Sequence, residues 1–380
     1  MRRYDLDNLR VLLFLLLIIY HAGMFFSPWS FHLKNNETID WIIYPMLFIN
    51  QWRLPLLFVI SGMGTAFAFR KRSLWLFLAE RNKRLLLPFL FGMFFIVPPQ
   101  VYLERLVNNE FAGTYITFLS TIAFQGVYPA GNMSWHHLWF ILYLLIYAVL
   151  LAPVFYYIAK HPGAALLQKI KHLITTPAGI VFLSLIVFLP EYLLKPLYPS
   201  THGLVKDYYN LTYYALFYLS GFLFAFWGDA FKESVQRFRR YYFSLGIVLF
   251  TSMLCAFQLL TAYPDTLIMQ ALHFLLPVLT VFNVWSWILT FLGYSSSRLN
   301  ISTSVTTYAN ESVYPLYILH QTVLLAIGFL IYDLSWNVYL KIGILISGTL
   351  ILSLILFEFG IRRMNFMRTL FGLKQRKKTE

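Results

Sequence analysis

The chain contains very little cysteine and very little charge. Cys255 is its single cysteine, and it lies inside an apolar stretch. A lone cysteine excludes an internal disulfide framework and a cysteine-based metal site. Only 12% of the 380 residues are charged, whereas 59% are hydrophobic. A soluble domain of that composition would have too little polar surface to remain in solution, so the composition indicates an integral membrane protein.

Acidic residues are especially scarce. The chain has 16 Asp and Glu against 30 Lys and Arg, which gives a net charge of +14. An excess of that sign can indicate a nucleic-acid partner. Here the basic residues instead concentrate in alternate loops between apolar runs, as the positive-inside rule requires. We therefore expect a lipid bilayer around the protein and no nucleic acid as its partner.

Apolar runs long enough to cross the hydrocarbon core, which takes about 20 residues, recur along the chain. Ten spans are predicted, at 9–27, 42–69, 85–103, 137–159, 174–194, 211–228, 241–261, 268–293, 313–332 and 338–358. Pro55 and Pro277 are plausible kinks in the two longest spans, and the short apolar run 111–124 is expected to lie on the membrane surface. The sequence thus predicts an all-α bundle of ten transmembrane helices in one domain, 1–360, followed by a basic cytoplasmic tail, 361–380.

The basic residues also predict the orientation of this bundle. They cluster at both chain ends and in every second loop, for example at 70–72, 81–84 and 232–240. The intervening loops hold only Lys34, Arg105, Lys195 and Lys206. Because basic loops remain on the cytoplasmic side, both termini are predicted to be cytoplasmic.

The first span carries two ionisable side chains on one stripe. Arg10 and His21 are eleven residues apart, and eleven steps of 100° return to within about 20° of a whole number of turns. At 1.5 Å per residue the two lie about 16 Å apart along the helix axis. Ionisable groups within a span usually face a protein interior or a wet cavity, which favours a functional site. The alternative is an arginine that snorkels at the border and a histidine that is satisfied in the core.

The second span combines small residues with a buried charge. Ser61, Gly62 and Gly64 occur in the segment LLFVISGMGTAF. Small residues let helices approach closely, and we predict this packing role for the two glycines. Arg53 lies well inside the span, where a guanidinium needs a partner or water, so it is a candidate site residue.

Arg81 and Arg84 precede the third predicted span. They are three residues apart, which places them on one face of the expected helix start. Guanidinium groups match phosphate oxygens, and a helix N-terminus adds a modest attraction for anions. The alternative is that both arginines only set the membrane topology.

Two adjacent histidines, His136 and His137, open the fourth predicted span together with Trp139. Neighbouring residues on a helix cannot face one point, which argues against a metal site formed by this pair. One of the two histidines is expected to face a cavity, and the sequence does not decide which. Trp139 belongs to a residue type that is enriched at membrane interfaces.

The ninth predicted span contains further polar residues. Glu311 and His320 are nine residues apart, about 180° on a straight helix, although Pro315 lies between them. His320 and Gln321 are costly within a membrane unless they are hydrogen-bonded. A structural network explains them as readily as catalysis does.

Taken together, these segments resemble the acyltransferase-3 family of multi-pass membrane acyltransferases. The similarity begins in YDLDNLRVLLFLLLIIYH, where Arg10 and His21 fit the family's signature of an arginine and a histidine separated by ten residues. It continues, in order, with LFVISGMG, Arg81-x-x-Arg84, HLWF and YPLYILHQ. The family usually has Gly-Leu-Arg-Gly around the signature arginine, whereas this chain has Asn-Leu-Arg-Val. The last motif, and the lack of a fused hydrolase-like domain, make the chain more similar to the glucan-succinylating branch than to the two-domain members.

The resemblance implies an acyl-CoA-dependent O-acyltransferase of a bacterial-type inner membrane, without a bound cofactor or metal. Its donor would be a cytosolic acyl-CoA carrying an acetyl, succinyl or similar group, and its acceptor a hydroxyl of a glycan or other extracytoplasmic molecule. His21 would be the general base, and direct transfer is simpler than an acyl-enzyme. Four arginines would hold the donor: Arg10, Arg53, Arg81 and Arg84. Five residues would line or support the acceptor side: Ser61, His137, Trp139, Glu311 and His320.

Two other classes of protein fit part of the pattern. A glycan or lipid transporter would also have intramembrane charges and proline-broken helices, but the sequence has no recognisable duplicated halves. A purely structural membrane scaffold would leave Arg53, His21 and His320 without a purpose. The ordered set of motifs favours the enzyme.

Overall fold

The computed structural model describes residues 3–69, 72–262 and 267–376. Five basic residues that contribute to the predicted orientation lie outside these ranges: Arg2, Arg70, Lys71, Lys377 and Lys378. Within the described ranges the secondary structure is helical, with no β-strand and only an isolated bridge between Val127 and Met133. The prediction of an all-α fold is confirmed.

The α-helices of the described residues vary from short turns to rods that exceed the membrane thickness. They are α1 (Tyr4–Phe26), α2 (Ile43–Phe69), α3 (Leu74–Arg81), α4 (Leu87–Phe91), α5 (Pro98–Val107), α6 (Tyr115–Thr121), α7 (Trp139–Leu150), α8 (Ala152–Lys160), α9 (Ala165–Ile174), α10 (Gly179–Leu189), α11 (Tyr208–Trp227), α12 (Asp229–Ala262), α13 (Leu267–Arg298), α14 (Ser304–Ile331), α15 (Val338–Ile355) and α16 (Asn365–Leu370). Wider π-helical turns join or extend several of them, at Asn82–Leu86, Gly92–Ile96, Pro190–Leu194 and Leu356–Ile361. Two 3-10 turns, Asp40–Ile42 and His136–Leu138, precede α2 and α7.

Seven helices in the described part of the chain are long and apolar enough to cross a membrane, or up to nine if two bent helix pairs each form one span. The first pair, α7 with α8, is bent by 49°, and the second, α9 with the helical segment that begins at Gly179, by 109°. α11 coincides with the remaining predicted span, but its many tyrosines lower its hydropathy and it is not among the nine. The helices are those of a multi-pass membrane protein, whereas the count of ten and the sidedness of the termini remain predictions.

The two prolines of the longest predicted spans lie within helices, and the short apolar run forms only a short helix. Pro55 and Pro277 both lie inside unbroken helices, α2 and α13. The run 111–124 forms only α6, a helix of 7 residues. That length is far below the roughly 20 residues that cross a bilayer, so this run is not an additional span.

The third predicted span begins much earlier than the sequence analysis placed it. Its helical segment starts at Leu74, not at 85, and continues to Val107. The extension follows from the apolar residues of α3, whose Phe77 is buried in the core. Arg81 therefore ends α3, and Arg84 lies in the π-helical turn that follows. The expected helix N-terminus at these arginines is wrong, and with it the expected dipole attraction for anions.

The described residues divide into two compact units. Unit 1 comprises residues 3–10, Phe48–Leu78 and Ile146–Ser302, and unit 2 comprises Val11–Leu47, Ala79–Leu145 and the chain from Thr303 onwards. Unit 1 contains three of the predicted site residues, Arg10, Arg53 and Ser61. Unit 2 contains the others: His21, Arg81, Arg84, His137, Trp139, Glu311 and His320. The division of the chain into one domain, 1–360, and a tail, 361–380, remains a prediction.

In unit 1, two glycines bring the backbones of α2 and α11 into contact. A Cβ atom added to Gly62 would lie 1.9 Å from the carbonyl oxygen of Tyr218, and one added to Gly221 would lie 2.0 Å from that of Val59. Both distances are far below van der Waals contact, so only glycine fits. The predicted packing role is thus confirmed for Gly62. It is wrong for Gly64, where an added Cβ would meet nothing within 4 Å.

In unit 2, the apolar core includes the beginning of the predicted tail. Ile361 and Phe371 are buried, and the Phe371 ring packs against Phe91 with centroids 5.3 Å apart. The buried Arg368 donates from Nε to the carbonyl oxygen of Lys374 at 2.7 Å. The chain around α16 therefore folds onto unit 2.

Candidate active site

Three histidine rings from separate parts of the chain form a row in unit 2. His21 lies on α1, His320 on α14, and His137 in the 3-10 turn that precedes α7. The ring centroids of His21 and His320 are 5.2 Å apart, and those of His320 and His137 are 5.0 Å apart. We call these three residues the histidine row. Each of them is a candidate residue predicted from the sequence, but their adjacency is not predicted by it.

Backbone carbonyls fix two of the three rings. Nδ1 of His320 lies 2.6 Å from the carbonyl oxygen of Tyr317, and Nε2 of His137 lies 3.0 Å from that of Ile318. A carbonyl oxygen only accepts, so these two nitrogens carry hydrogens and donate. In the neutral rings, the acceptor nitrogens are then Nε2 of His320 and Nδ1 of His137. The helix backbone of α14 thus sets both ring orientation and tautomer.

Aromatic rings enclose the histidine row. Phe14 meets His320 edge-on with centroids 5.9 Å apart, and Phe31 lies 5.9 Å from His21. The Tyr317 hydroxyl donates to the carbonyl oxygen of His137. His320 is 0% exposed, whereas His21 is only half-buried. His21 is therefore the more exposed of these two residues.

A second polar cluster lies in unit 2, and we call it the His-Glu cluster: His32, Glu104, Tyr128 and His136. His32 follows α1, Glu104 lies on α5, and His136 begins the turn before α7. Nδ1 of His32 is 2.8 Å from Oε2 of Glu104, and the His32 and His136 rings stack with centroids 4.1 Å apart. The adjacent histidines thus diverge, with His137 facing the histidine row and His136 facing this cluster.

The carboxylate of Glu104 also receives a hydrogen bond from a tyrosine. The Tyr128 hydroxyl donates to Oε1 of Glu104 at 2.9 Å. Burial, followed by the charge of Glu104, raises the pKa of Tyr128 well above its usual value, so the hydroxyl keeps its proton. Sequence reasoning did not select His32 or Glu104. The available sequence signal was an acid just after a predicted span, because the cluster is closed by contacts between residues 24 or more positions apart.

Glu311 lies apart from the histidine row. Its carboxylate pairs with Arg368 at 2.8 Å and with Arg362 at 3.4 Å. His320 is nine residues further along α14, about 14 Å away at 1.5 Å per residue. The structure therefore joins Glu311 to the C-terminal segment rather than to the histidines.

The remaining predicted residues of unit 2 also have defined surroundings. Arg84 is exposed, and its carbonyl oxygen accepts from the Tyr314 hydroxyl at 3.0 Å. Arg81 is half-buried at the end of α3. Trp139 is buried, with its ring 5.1 Å from that of Tyr143. Arg84 is thus the most exposed of these three residues.

In unit 1, three predicted residues lie on α1 and α2. Arg10 is half-buried and pairs with Asp7, one turn earlier, at 3.6 Å. Arg53 is 3% exposed. Ser61 is half-buried, and its carbonyl oxygen accepts from Thr65 at 3.1 Å. Arg10 and His21 share the unbroken helix α1, as the sequence predicted.

The class of protein follows from a comparison with protein families. A family profile described as an acyltransferase domain matches residues 3–358. The chain therefore belongs to the acyltransferase-3 family, as the sequence motifs indicated.

Particular relatives are proteins named glucans biosynthesis protein C. The one from Shigella dysenteriae serotype 1 is 28% identical over 160 residues, which cover 40% of this chain and 39% of the relative. The one from Salmonella paratyphi B is 27% identical over 191 residues, covering 50% of this chain and 46% of the relative. The chain thus matches less than half the length of these relatives. No solved structure matches the chain.

Proposed function

We propose that this protein is an acyl-CoA-dependent membrane O-acyltransferase with His21 as general base. It moves a small acyl group, such as acetyl or succinyl, onto a hydroxyl of an extracytoplasmic acceptor. The observation that carries the proposal is the histidine row, in which the half-buried His21 contacts the fully buried His320. A partly exposed imidazole that packs against a second one suits proton transfer at neutral pH.

The proposed reaction is a direct transfer. The acceptor hydroxyl gives its proton to the His21 imidazole while its oxygen attacks the thioester carbonyl carbon. The carbon–sulfur bond then breaks, and the imidazolium returns the proton to the departing thiolate. General-base catalysis of this kind typically contributes about 10²–10⁴-fold to the rate. His320 is a positioning residue, because its Nδ1 is held by the Tyr317 carbonyl.

Arginine side chains are proposed to hold the donor. Guanidinium groups bind phosphate oxygens in a fork geometry, and CoA carries several phosphates. Arg81 and Arg84 are accessible for this role in unit 2. Arg10 lies on the same helix as His21, about 16 Å away along its axis, a separation that an extended pantetheine arm can span. Arg53 is proposed to support donor binding from its buried position on α2.

The acceptor is proposed to be a glycan. The name of the relatives, glucans biosynthesis protein C, supports a glucan as the first acceptor to assay. Ser61, His137 and Trp139 are proposed to line or support the acceptor side. Glu311 is proposed to act only indirectly, because it pairs with Arg362 and Arg368.

The test is acyl transfer from labelled acyl-CoA to a glucan by purified protein in proteoliposomes. His21→Ala and the similarly sized His21→Gln are expected to lose roughly 10²–10⁴-fold in turnover. His161→Ala is the matched control, because this exposed histidine directly follows α8 in unit 1. Size-exclusion elution and thermal unfolding verify that each variant is folded.

Two outcomes would contradict the proposal. Unchanged turnover in both His21 variants would remove His21 from the mechanism. Movement of the glucan across the membrane without acyl-CoA, and without acylation, would instead support a transporter.

A further inference from the structure

The His-Glu cluster has the composition and spacing of a metal site. One ligand atom each from His32, Glu104 and His136 lies within 4.8 Å of the other two. Two imidazoles and one carboxylate form a common ligand set for Zn²⁺, in which a fourth position holds water or substrate. All three residues belong to unit 2.

His136 provides the strongest indication of a ligand. Its side chain is 1% exposed, and its Nε2 has no hydrogen-bond partner within the described residues. That nitrogen lies 4.0 Å from Oε2 of Glu104, which is too far for a hydrogen bond. Two bonds of about 2.0–2.2 Å at a tetrahedral angle place their ligand atoms about 3.4 Å apart. A shift of roughly 0.6 Å would therefore bring these two atoms to the separation of two ligands of one ion.

The other ring nitrogen of His136 is already occupied. Nδ1 lies 2.8 Å from the hydroxyl oxygen of Ser134, which also accepts from the His136 backbone N–H at 3.1 Å. When Nδ1–H donates to Ser134, Nε2 carries the lone pair and points toward Glu104. A histidine ligand usually donates its second nitrogen in this way, because that contact orients the ring for the metal.

A hydrogen bond from a neighbouring side chain also orients Glu104. The Tyr128 hydroxyl holds Oε1, so Oε2 faces both histidines. The neighbouring Arg105 does not neutralise this carboxylate, because its guanidinium donates to Asn132 and Glu110.

The approach to the cluster is open on one side. The His32 side chain is 20% exposed, whereas that of Glu104 is 9% exposed. His32 Nδ1 and Glu104 Oε2 are 2.8 Å apart, and a shift of roughly half an ångström would bring them to the separation of two tetrahedral ligands. His32 is thus more exposed than Glu104, and only a small rearrangement is needed for both to bind one ion.

We propose that His32, Glu104 and His136 bind a divalent transition metal of the Zn²⁺ type. The metal joins the segment after α1, the end of α5 and the turn before α7, and its fourth position takes water. No metal was expected from the sequence, in which the only histidine pair that stands out is His136 and His137. This inference stands apart from the proposed function, since metal binding is measured without any acyl transfer.

The experiment measures metal content. Detergent-purified protein is stripped with a chelator, dialysed against Zn²⁺, separated from free ion and measured by plasma mass spectrometry. About one Zn²⁺ per chain is expected for the wild type and for His161→Ala. His136→Ala and Glu104→Gln are expected to retain roughly a tenth of that or less, and Tyr128→Phe to bind about 10–100-fold more weakly.

A spectroscopic measurement separates binding from misfolding. Co²⁺ in the stripped wild type should give the visible absorption of a four-coordinate ion, and His136→Ala should lack it while eluting as the wild type does. If the wild type retains no more Zn²⁺ than His136→Ala does, the cluster is a hydrogen-bonded network only and the proposal is overturned.

Discussion

Gly62 offers a sharp test of the packing between α2 and α11. In Gly62→Ala the new Cβ would lie 1.9 Å from the carbonyl oxygen of Tyr218. Ordinary contact between such atoms is about 3.4 Å, so the two helices must separate by about 1.5 Å or tilt. A backbone carbonyl cannot rotate away as a side chain does, and Gly221 makes the reciprocal contact with Val59 at 2.0 Å.

The expected cost lies at the upper end of the range for overpacked cores, about 3 kcal/mol. Gly64→Ala is the matched control, because it is on the same helix and its Cβ would meet nothing within 4 Å. That substitution should be neutral or stabilise the protein by up to about 1 kcal/mol through helix propensity. The two variants should therefore differ by roughly 3–4 kcal/mol, although each adds a single methyl group.

The assay is unfolding of both variants in the same detergent, followed by tryptophan fluorescence against temperature and denaturant. Gly62→Ala should unfold well before the wild type, and Gly64→Ala at or above it. Equal midpoints for the two variants, or a less stable Gly64→Ala, would refute the close approach of α2 and α11.

Two further variants test other contacts. Glu311→Gln leaves the buried Arg368 without its carboxylate partner at 2.8 Å, so we expect a loss of about 2 kcal/mol and faster cleavage of the C-terminal segment by protease; a cleavage rate like the wild type's would contradict this. Arg84→Ala removes an exposed guanidinium, so we expect the KM for acyl-CoA to rise about tenfold with kcat and stability nearly unchanged. An unchanged KM would remove Arg84 from donor binding.

Much of the helical fold could be predicted from the sequence, because apolar length and period act locally. The stripe that joins Arg10 to His21 depends only on helix geometry, and α1 is unbroken between them. The start of the third span was misplaced, because the apolar residues after Leu74 are separated from the next apolar run by Arg81 and Arg84, which resemble a loop.

The contacts between helices could not be predicted in this way. The histidine row joins His21, His137 and His320, and no spacing along the chain specifies that such distant residues meet. The His-Glu cluster was missed for the same reason, because His32 lies outside any helix and has no periodic pattern to identify it. Sequence patterns thus selected most of the candidate residues, whereas packing decided their partners.

The C-terminal segment has a consequence for how this protein is handled. Arg362 and Arg368 clasp Glu311, and a Cβ at Gly372, whose φ is +69°, would lie 2.9 Å from the carbonyl oxygen of Arg84 and 2.4 Å from the Tyr314 ring. The C-terminal segment around Gly372 therefore packs closely against α14, the helix that carries His320. Deleting this basic segment would therefore destabilise the N-terminal part of α14, where Glu311 lies. A purification tag is best attached several residues after Gly372.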